Sequence, residues 1–185
     1  LQQVVDESLG EYTEVNDEGV YKLQASAVCI DNETGLVTAI VGGRSQDFAF
    51  YSLNRAYQSH RQPGSAIKPL IVYTPMLERG YTAETLVIDE PIEDGPKNAS
   101  GTHLGEITLQ TAVEKSINVI AWKLFEELTP KKGLVYLEHM NFSHLNANDY
   151  KLPSALGGFT EGVSALEMTA AYATLANDGV YREPT

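Results

Sequence analysis

Two β-rich runs flank one polar turn early in this chain, and the remainder reads mainly as helix; that imbalance limits the folds open to it. The runs are Tyr21–Ile30 and Leu36–Val41, and Asp31-Asn32-Glu33-Thr34-Gly35 lies between them. A short polar loop ending in glycine between apolar runs is the signature of a β-hairpin. Gly42-Gly43 stops the second run. A lone hairpin is marginal in water, so its faces and edges need cover. The expected architecture is α/β in the broad sense (α+β): an antiparallel sheet with helices packed on it, whose later strands lie outside these residues. No internal repeat or low-complexity tract is present.

Local signals place the helices. Leu1–Leu9 reads as a short helix, Glu11–Gly19 as an acidic connector and Arg44–Arg61 as an irregular segment. Pro63-Gly64 marks a turn, and Ser65–Arg79 continues from it with helical character up to Gly80, a glycine suited to a C-terminal cap. Pro69 falls in the first turn, where its missing N–H costs little, whereas Pro75 lies deeper and predicts a kink. Tyr81–Gly105 reads as a long connection rich in Pro, Gly and Asp, a kind of segment that often lines functional sites. Thr108–Lys115 and Val119–Leu128 carry apolar residues at helical spacing, with Ser116-Ile117-Asn118 at their junction. Lys131–Met140 is a further helix. The last one opens on Ser164 with Glu167 three residues on, a capping box, and ends at Asn177-Asp178-Gly179.

Composition excludes several functions. Lys plus Arg number 13 against 25 Asp plus Glu, a formal charge of −12. Such a surface repels nucleic acid and anionic lipid, both of which select clustered cations. The single cysteine, Cys29, forms no intrachain disulfide and no structural zinc site; in Ala25–Ile30 it reads as a small buried hydrophobe. No metal or cofactor is implied. No run approaches the ~20 apolar residues that cross a bilayer. Asn32, Asn98 and Asn141 open N-x-S/T sequons, which are read as chance matches. The 185 residues suffice for one domain with a substantial core.

The chemistry concentrates in two short motifs. Ser65-Ala66-Ile67-Lys68 places an amine three residues after a hydroxyl, on one face of a helix. A serine hydroxyl needs an adjacent base, and a lysine serves once desolvation lowers its pKa from about 10.4. The free N–H groups of the helix start are placed to stabilise an oxyanion. Ser116-Ile117-Asn118 adds a second hydroxyl and an amide, able to pass a proton and hold a lysine amine. Each motif alone is weak: the first is also an N-cap serine with a surface lysine, the second a capped helix break. Together they are more informative, as S-x-x-K with S-D-N and K-T-G is the signature of β-lactamases and penicillin-binding proteins; here Ile117 stands in the middle of the second motif.

Arg61-Gln62-Pro63-Gly64-Ser65-Ala66-Ile67-Lys68-Pro69 resembles the nucleophile segment of class A, bifunctional penicillin-binding proteins. Ala27–Asp31 through Thr34-Gly35, with Ala39–Arg44, is similar to that family's first hairpin. Leu156-Gly157-Gly158, Gly162–Met168 and Ala171-Tyr172-Ala173 resemble its later helix. The resemblance spans nearly the whole chain, in order. It implies a penicillin-binding protein and serine β-lactamase-like fold, and a serine-type DD-transpeptidase that cross-links peptidoglycan. Ser65 then attacks the D-Ala-D-Ala carbonyl of a stem peptide, Lys68 matches the general base, Ser116 the proton relay, and Asn118 the residue that orients Lys68 and substrate. Stem peptides and β-lactam antibiotics are the implied partners, with cell-wall synthesis proteins, and the implied location is the outer face of a bacterial membrane, carried there by an anchored parent.

No Lys-Thr-Gly or Lys-Ser-Gly occurs. In the family this run lies on a strand that follows the segment resembling Ser164 to Thr185, so residues 1–185 are expected to form a transpeptidase domain truncated before the Lys-Thr-Gly strand, and inactive by themselves. There are two alternatives, the first of which uses the same two motifs. A serine β-lactamase needs a deacylating glutamate, and no Glu-x-x-Leu-Asn occurs after Asn118. A non-catalytic penicillin-recognising sensor or interaction module needs none of the four residues Ser65, Lys68, Ser116 and Asn118, all of which are intact.

Overall fold

The computed structural model describes residues 1–45 and 52–185. Part of the segment read as irregular, residues 46–51, lies outside them. The chain divides into two compact units: Leu1–Arg61 with Val163–Thr185, and Gln62–Gly162.

The first unit holds the hairpin. Strands β1 (Ala27–Ile30) and β2 (Val37–Val41) pair antiparallel, Ala27 opposite Val41, with a register slip between Cys29 and Ile30. The turn closes through Asp31, whose carboxylate accepts from the Thr34 N–H and hydroxyl at 2.9 and 2.6 Å. Those bonds favour the ionised carboxyl and hold Asp31 below the usual range. Residues 21–26, read as strand, are not in the ladder: β1 begins only at Ala27. Helix α1 is Gln2–Ser8 and helix α2 is Arg55–Gln58, a single turn inside the stretch read as irregular. Cys29 is exposed, contrary to expectation. It lies opposite Ala39 in a two-stranded ladder, and a sheet this narrow leaves positions without cover.

Helix α7 (Ala165–Ala176) packs on β1 and on α2. Its capping box forms as read: Ser164 Oγ accepts from the Glu167 N–H at 3.2 Å, and the Glu167 carboxylate accepts from the Ser164 N–H at 2.7 Å. Among the described residues no helix is long and apolar enough to cross a membrane.

The second unit is built around the run that begins at Gly64. It is one helical path with three windings: a 3-10 turn (Gly64–Ile67), a π turn (Pro69–Tyr73) and helix α3 (Thr74–Glu78). The single kinked helix expected from sequence is resolved differently. Pro75 has no N–H to offer the Ile71 carbonyl, and its ring crowds that carbonyl. Widening to π spacing relieves the crowding, with the Thr74 N–H bonding Pro69 O instead. The run buries Ile67, Leu70, Ile71, Val72 and Met76, each worth roughly 1.5–3 kcal/mol. They pack against helix α5 (Asn118–Leu128) and helix α6 (Pro130–His139). Close approach to α6 is set by Gly133, where a Cβ would lie 2.3 Å from the Phe125 ring and 2.6 Å from Ile71 O.

The Tyr73 hydroxyl on this path is buried and finds no hydrogen-bond partner among the described residues, and burial pushes its pKa up. An unpaired buried hydroxyl costs about 1–3 kcal/mol. Tyr73→Phe is therefore expected to raise stability by about 1 kcal/mol in urea unfolding; a loss of that size would show that the hydroxyl is satisfied in solution.

The segment read as a long connection contains a second hairpin. Strands β3 (Leu86–Asp89) and β4 (Gly105–Thr108) pair antiparallel, Leu86 opposite Thr108 and Asp89 opposite Gly105. Its buried positions are Val87 and Asp89, while Leu86 and Ile88 are exposed. A carboxylate inside and two large apolar residues outside invert the usual strand pattern, which hid it. Thr108 then caps helix α4 (Leu109–Glu114) by accepting from the Thr111 N–H at 3.2 Å.

Candidate active site

All four residues singled out in the sequence lie in the second unit. Ser65 is the second residue of the 3-10 turn and is exposed. In 3-10 winding, residues i and i+3 eclipse one another, which sets Lys68 directly after Ser65 on the same face; the Lys68 N–H donates to Ser65 O.

Lys68 itself is 1% exposed. Its Nζ donates to Ser116 O at 2.7 Å, to Ser116 Oγ at 3.1 Å and to Asn118 Oδ1 at 2.7 Å. Those bonds engage every ammonium proton. No hydrogen bond joins Lys68 to the Ser65 hydroxyl among the described residues. Burial pulls the Lys68 amine down to about 8, since low-dielectric surroundings disfavour the ammonium.

The Ser116–Asn118 junction takes its geometry from a helix stop. Ser116 N–H bonds Val113 O and Ile117 N–H bonds Ala112 O, at 3.0 and 2.9 Å. With Lys115 as the C-cap of α4, that is a Schellman motif, and Ser116 holds its left-handed position with φ of 50°. Glycine is the usual residue there; a serine costs about 1 kcal/mol. In return the site gains a hydroxyl beside the Ser116 carbonyl, both turned on Lys68. Strain kept where a side chain is needed is a mark of functional sites.

Asn118 is the first residue of α5. Its Oδ1 faces Lys68 while its Nδ2 donates to Lys97 O at 2.9 Å, which fixes the orientation of the amide. Sequence reasoning missed Lys97 and its neighbour Asn98, noticed only as the start of a sequon. Asn98 is buried, and its side chain is engaged inside the protein. The signal available was its position in a long connection preceding Ser116.

The turn before Ser65 is clasped from behind. The 3-10 turn Leu152–Leu156 ends at Gly157, φ 84°, and Gln62 Nε2 donates to Phe159 O at 3.1 Å. A Cβ on Gly157 would lie 2.3–2.5 Å from the Gly64 N, Cα and O. Gly157→Ala therefore displaces the backbone that carries Ser65. Its expected effect is a loss of at least about 1–3 kcal/mol in stability. Urea unfolding of the variant at wild-type stability would show that Gly64 tolerates the shift.

An exposed serine, with a buried lysine of lowered pKa one 3-10 turn on that is held by a second serine and an amide, makes up the candidate site on this helical α+β frame. The family model described as the penicillin binding protein transpeptidase domain matches residues 25–185, and the chain belongs to that family. Penicillin-binding protein 4 of Bacillus subtilis is 39% identical over 86% of this chain and 26% of its own length. Penicillin-binding protein 1A of Clostridium acetobutylicum is 34% identical over 100% of this chain and 25% of its own. The crystal structure of penicillin-binding protein 1A from Haemophilus influenzae superposes with a TM-score of 0.75 at 29% identity, covering 92% of this chain and 27% of that one. The chain thus spans about a quarter of the length of the curated relatives it matches.

Proposed function

We propose that the protein is a peptidoglycan DD-transpeptidase acting through an acyl-enzyme on Ser65, and that residues 1–185 are the leading part of its transpeptidase domain. The observation that carries this reading is the buried Lys68 amine, one 3-10 turn from an exposed serine and held by Ser116 and Asn118. Of its acceptors, Ser116 O and Asn118 Oδ1 only accept, whereas the Ser116 hydroxyl reverses its role. Neutral Lys68 keeps two N–H bonds to the carbonyl oxygens, and its lone pair is free for a hydroxyl proton. The set therefore serves both protonation states.

In the proposed reaction neutral Lys68 takes the Ser65 proton as Oγ bonds to the carbonyl carbon of a D-Ala-D-Ala stem peptide. The tetrahedral intermediate collapses, the C–N bond breaks, and the leaving D-Ala amine receives a proton through Ser116. A second stem amine then attacks the ester, gives up its proton to Lys68, and Ser65 leaves with a proton restored. β-Lactams acylate the same serine because their amide presents the same carbonyl. The site of action is the outer face of the bacterial membrane, where stem peptides are found.

The test uses the full-length protein, a synthetic peptide ending in D-Ala-D-Ala and an acceptor amine. The expected result is release of D-Ala with matching formation of the amine-capped peptide, and one stoichiometric reaction with a chromogenic cephalosporin. Continuous cephalosporin turnover would instead identify a β-lactamase. No acylation by either reagent would identify a non-catalytic recognition module.

A further inference from the structure

We propose that Asn98 is a positioning residue for this reaction: held by the buried carboxylate of Asp89, it caps helix α5 and sets the Asn118 amide against Lys68. The inference rests on the roles proposed above for Ser65, Lys68 and Asn118.

Helix α5 has no cap of its own. Its N-cap position is Ile117, which makes no side-chain hydrogen bond, so the first N–H groups need partners from elsewhere. Asn98 supplies one. Its Oδ1 accepts from the Val119 N–H at 3.2 Å, from a residue 21 positions away in sequence. The carbonyl of the preceding residue, Lys97, accepts from Asn118 Nδ2 at 2.9 Å. Residues 97–98 thus hold both the backbone and the first side chain of α5. Were the Asn118 amide reversed, its Nδ2 would face the Lys68 amine, donor against donor; the Lys97 carbonyl selects the orientation with Oδ1 inward.

Asn98 is itself fixed. It is 5% exposed, and Asp89 at the end of β3 is 1% exposed. Asn98 Nδ2 donates to Asp89 Oδ1 and Oδ2 at 2.8 and 3.0 Å and to Thr102 O at 3.0 Å. Asp89 also accepts from the Leu104 N–H at 2.9 Å and stands 3.0 Å from His103 Nδ1. Burial acts to raise the Asp89 carboxyl, but these donors outweigh it and hold the group below the usual range. A buried carboxylate so satisfied is a rigid anchor, and removing one of its partners leaves a costly charge. The second hairpin therefore reaches the active site through one side chain.

Asn118 Oδ1 stabilises the ammonium of Lys68 more than the neutral amine, so losing its alignment lowers the Lys68 pKa further. The experiment measures the pH dependence of β-lactam acylation in the full-length protein, with wild type, Asn98→Ala, Asn118→Ala and the double variant. Asn98→Ala is expected to slow acylation about 10- to 100-fold and to move the rising limb of the profile to lower pH, as Asn118→Ala does. The double variant is expected to be no slower than Asn118→Ala within threefold, since both remove one alignment. A second comparison covers the case in which Asn98→Ala does not fold. Asn98→Asp alone sets two carboxylates together, whereas Asp89→Asn with Asn98→Asp restores a donor–acceptor pair and still offers an oxygen to Val119. The pair is expected to acylate at least tenfold faster than Asn98→Asp alone. An unmoved limb in Asn98→Ala, additive losses in the double variant, or no recovery in the exchanged pair overturns the positioning role. A wild-type protein that is not acylated at Ser65, or an Asn118→Ala variant with an unmoved limb, overturns the underlying reading instead.

Discussion

Ser65→Ala is expected to abolish covalent labelling by a fluorescent penicillin and to leave the fold unchanged. Complete loss is expected because the proposed reaction assigns the nucleophile's part to Ser65 alone; the Ser116 hydroxyl, which Lys68 contacts, is given the proton relay and sits at the strained end of α4. The fold survives because Ser65 is exposed, and substitutions at exposed positions with few contacts stay within about 0.5 kcal/mol. Mass spectrometry of the penicillin-treated, digested full-length protein locates the adduct. An adduct on any residue but Ser65 in the wild type, or persisting labelling of the variant, removes Ser65 from the mechanism.

Lys68→Met is expected to separate catalysis from stability. Acylation is expected to fall about 10³-fold, within the range for losing a general base. In the wild type the rate is expected to rise about tenfold per pH unit below about 8 and to level above it, since in the proposed reaction only the neutral amine takes the Ser65 proton. A flat profile would exclude Lys68 as the base. Stability moves in the opposite sense. The amine titrates at about 8 in the folded state and 10.5 in the unfolded chain, so below pH 8 the buried ammonium costs about 3 kcal/mol. Methionine removes that cost but leaves Ser116 O and Asn118 Oδ1 without donors, at about 1–3 kcal/mol each. These terms offset, and the variant is expected within about 2 kcal/mol of wild type at pH 7. Between pH 8 and 10.5 the unfolded wild type binds the extra proton, so its stability rises with pH there. The methionine variant lacks that rise. Urea unfolding at pH 7 and pH 10 measures the difference; a wild-type advantage that shrinks with pH would contradict the lowered pKa.

Much of the fold was legible because its signals are local. The Asp31–Gly35 turn, the Ser164–Glu167 capping box and the helices either side of Ser116 are written in residues a few positions apart. The 86–89 and 105–108 pairing was not, because its strands are four residues long each, lie far apart, and bury an aspartate while exposing Leu86 and Ile88. Cys29 misled for a related reason: an apolar neighbourhood says nothing about which face of a narrow hairpin is covered.

By itself the sequence determined the reagents of the candidate site: a serine with a lysine three residues on, a second serine and an amide, and the family to which that order belongs. Tertiary structure alone decided what those reagents are able to do. Lys68 meets Ser116 and Asn118 across 48 and 50 residues, and its pKa falls because the chain folds around it, a property no spacing encodes. The tethering of α5 by Asn98 and the seating of Gly157 against Gly64 likewise join groups distant in sequence. Local patterns set backbone choices residue by residue, whereas desolvation and hydrogen-bond alignment are set by whatever atoms the completed fold brings near.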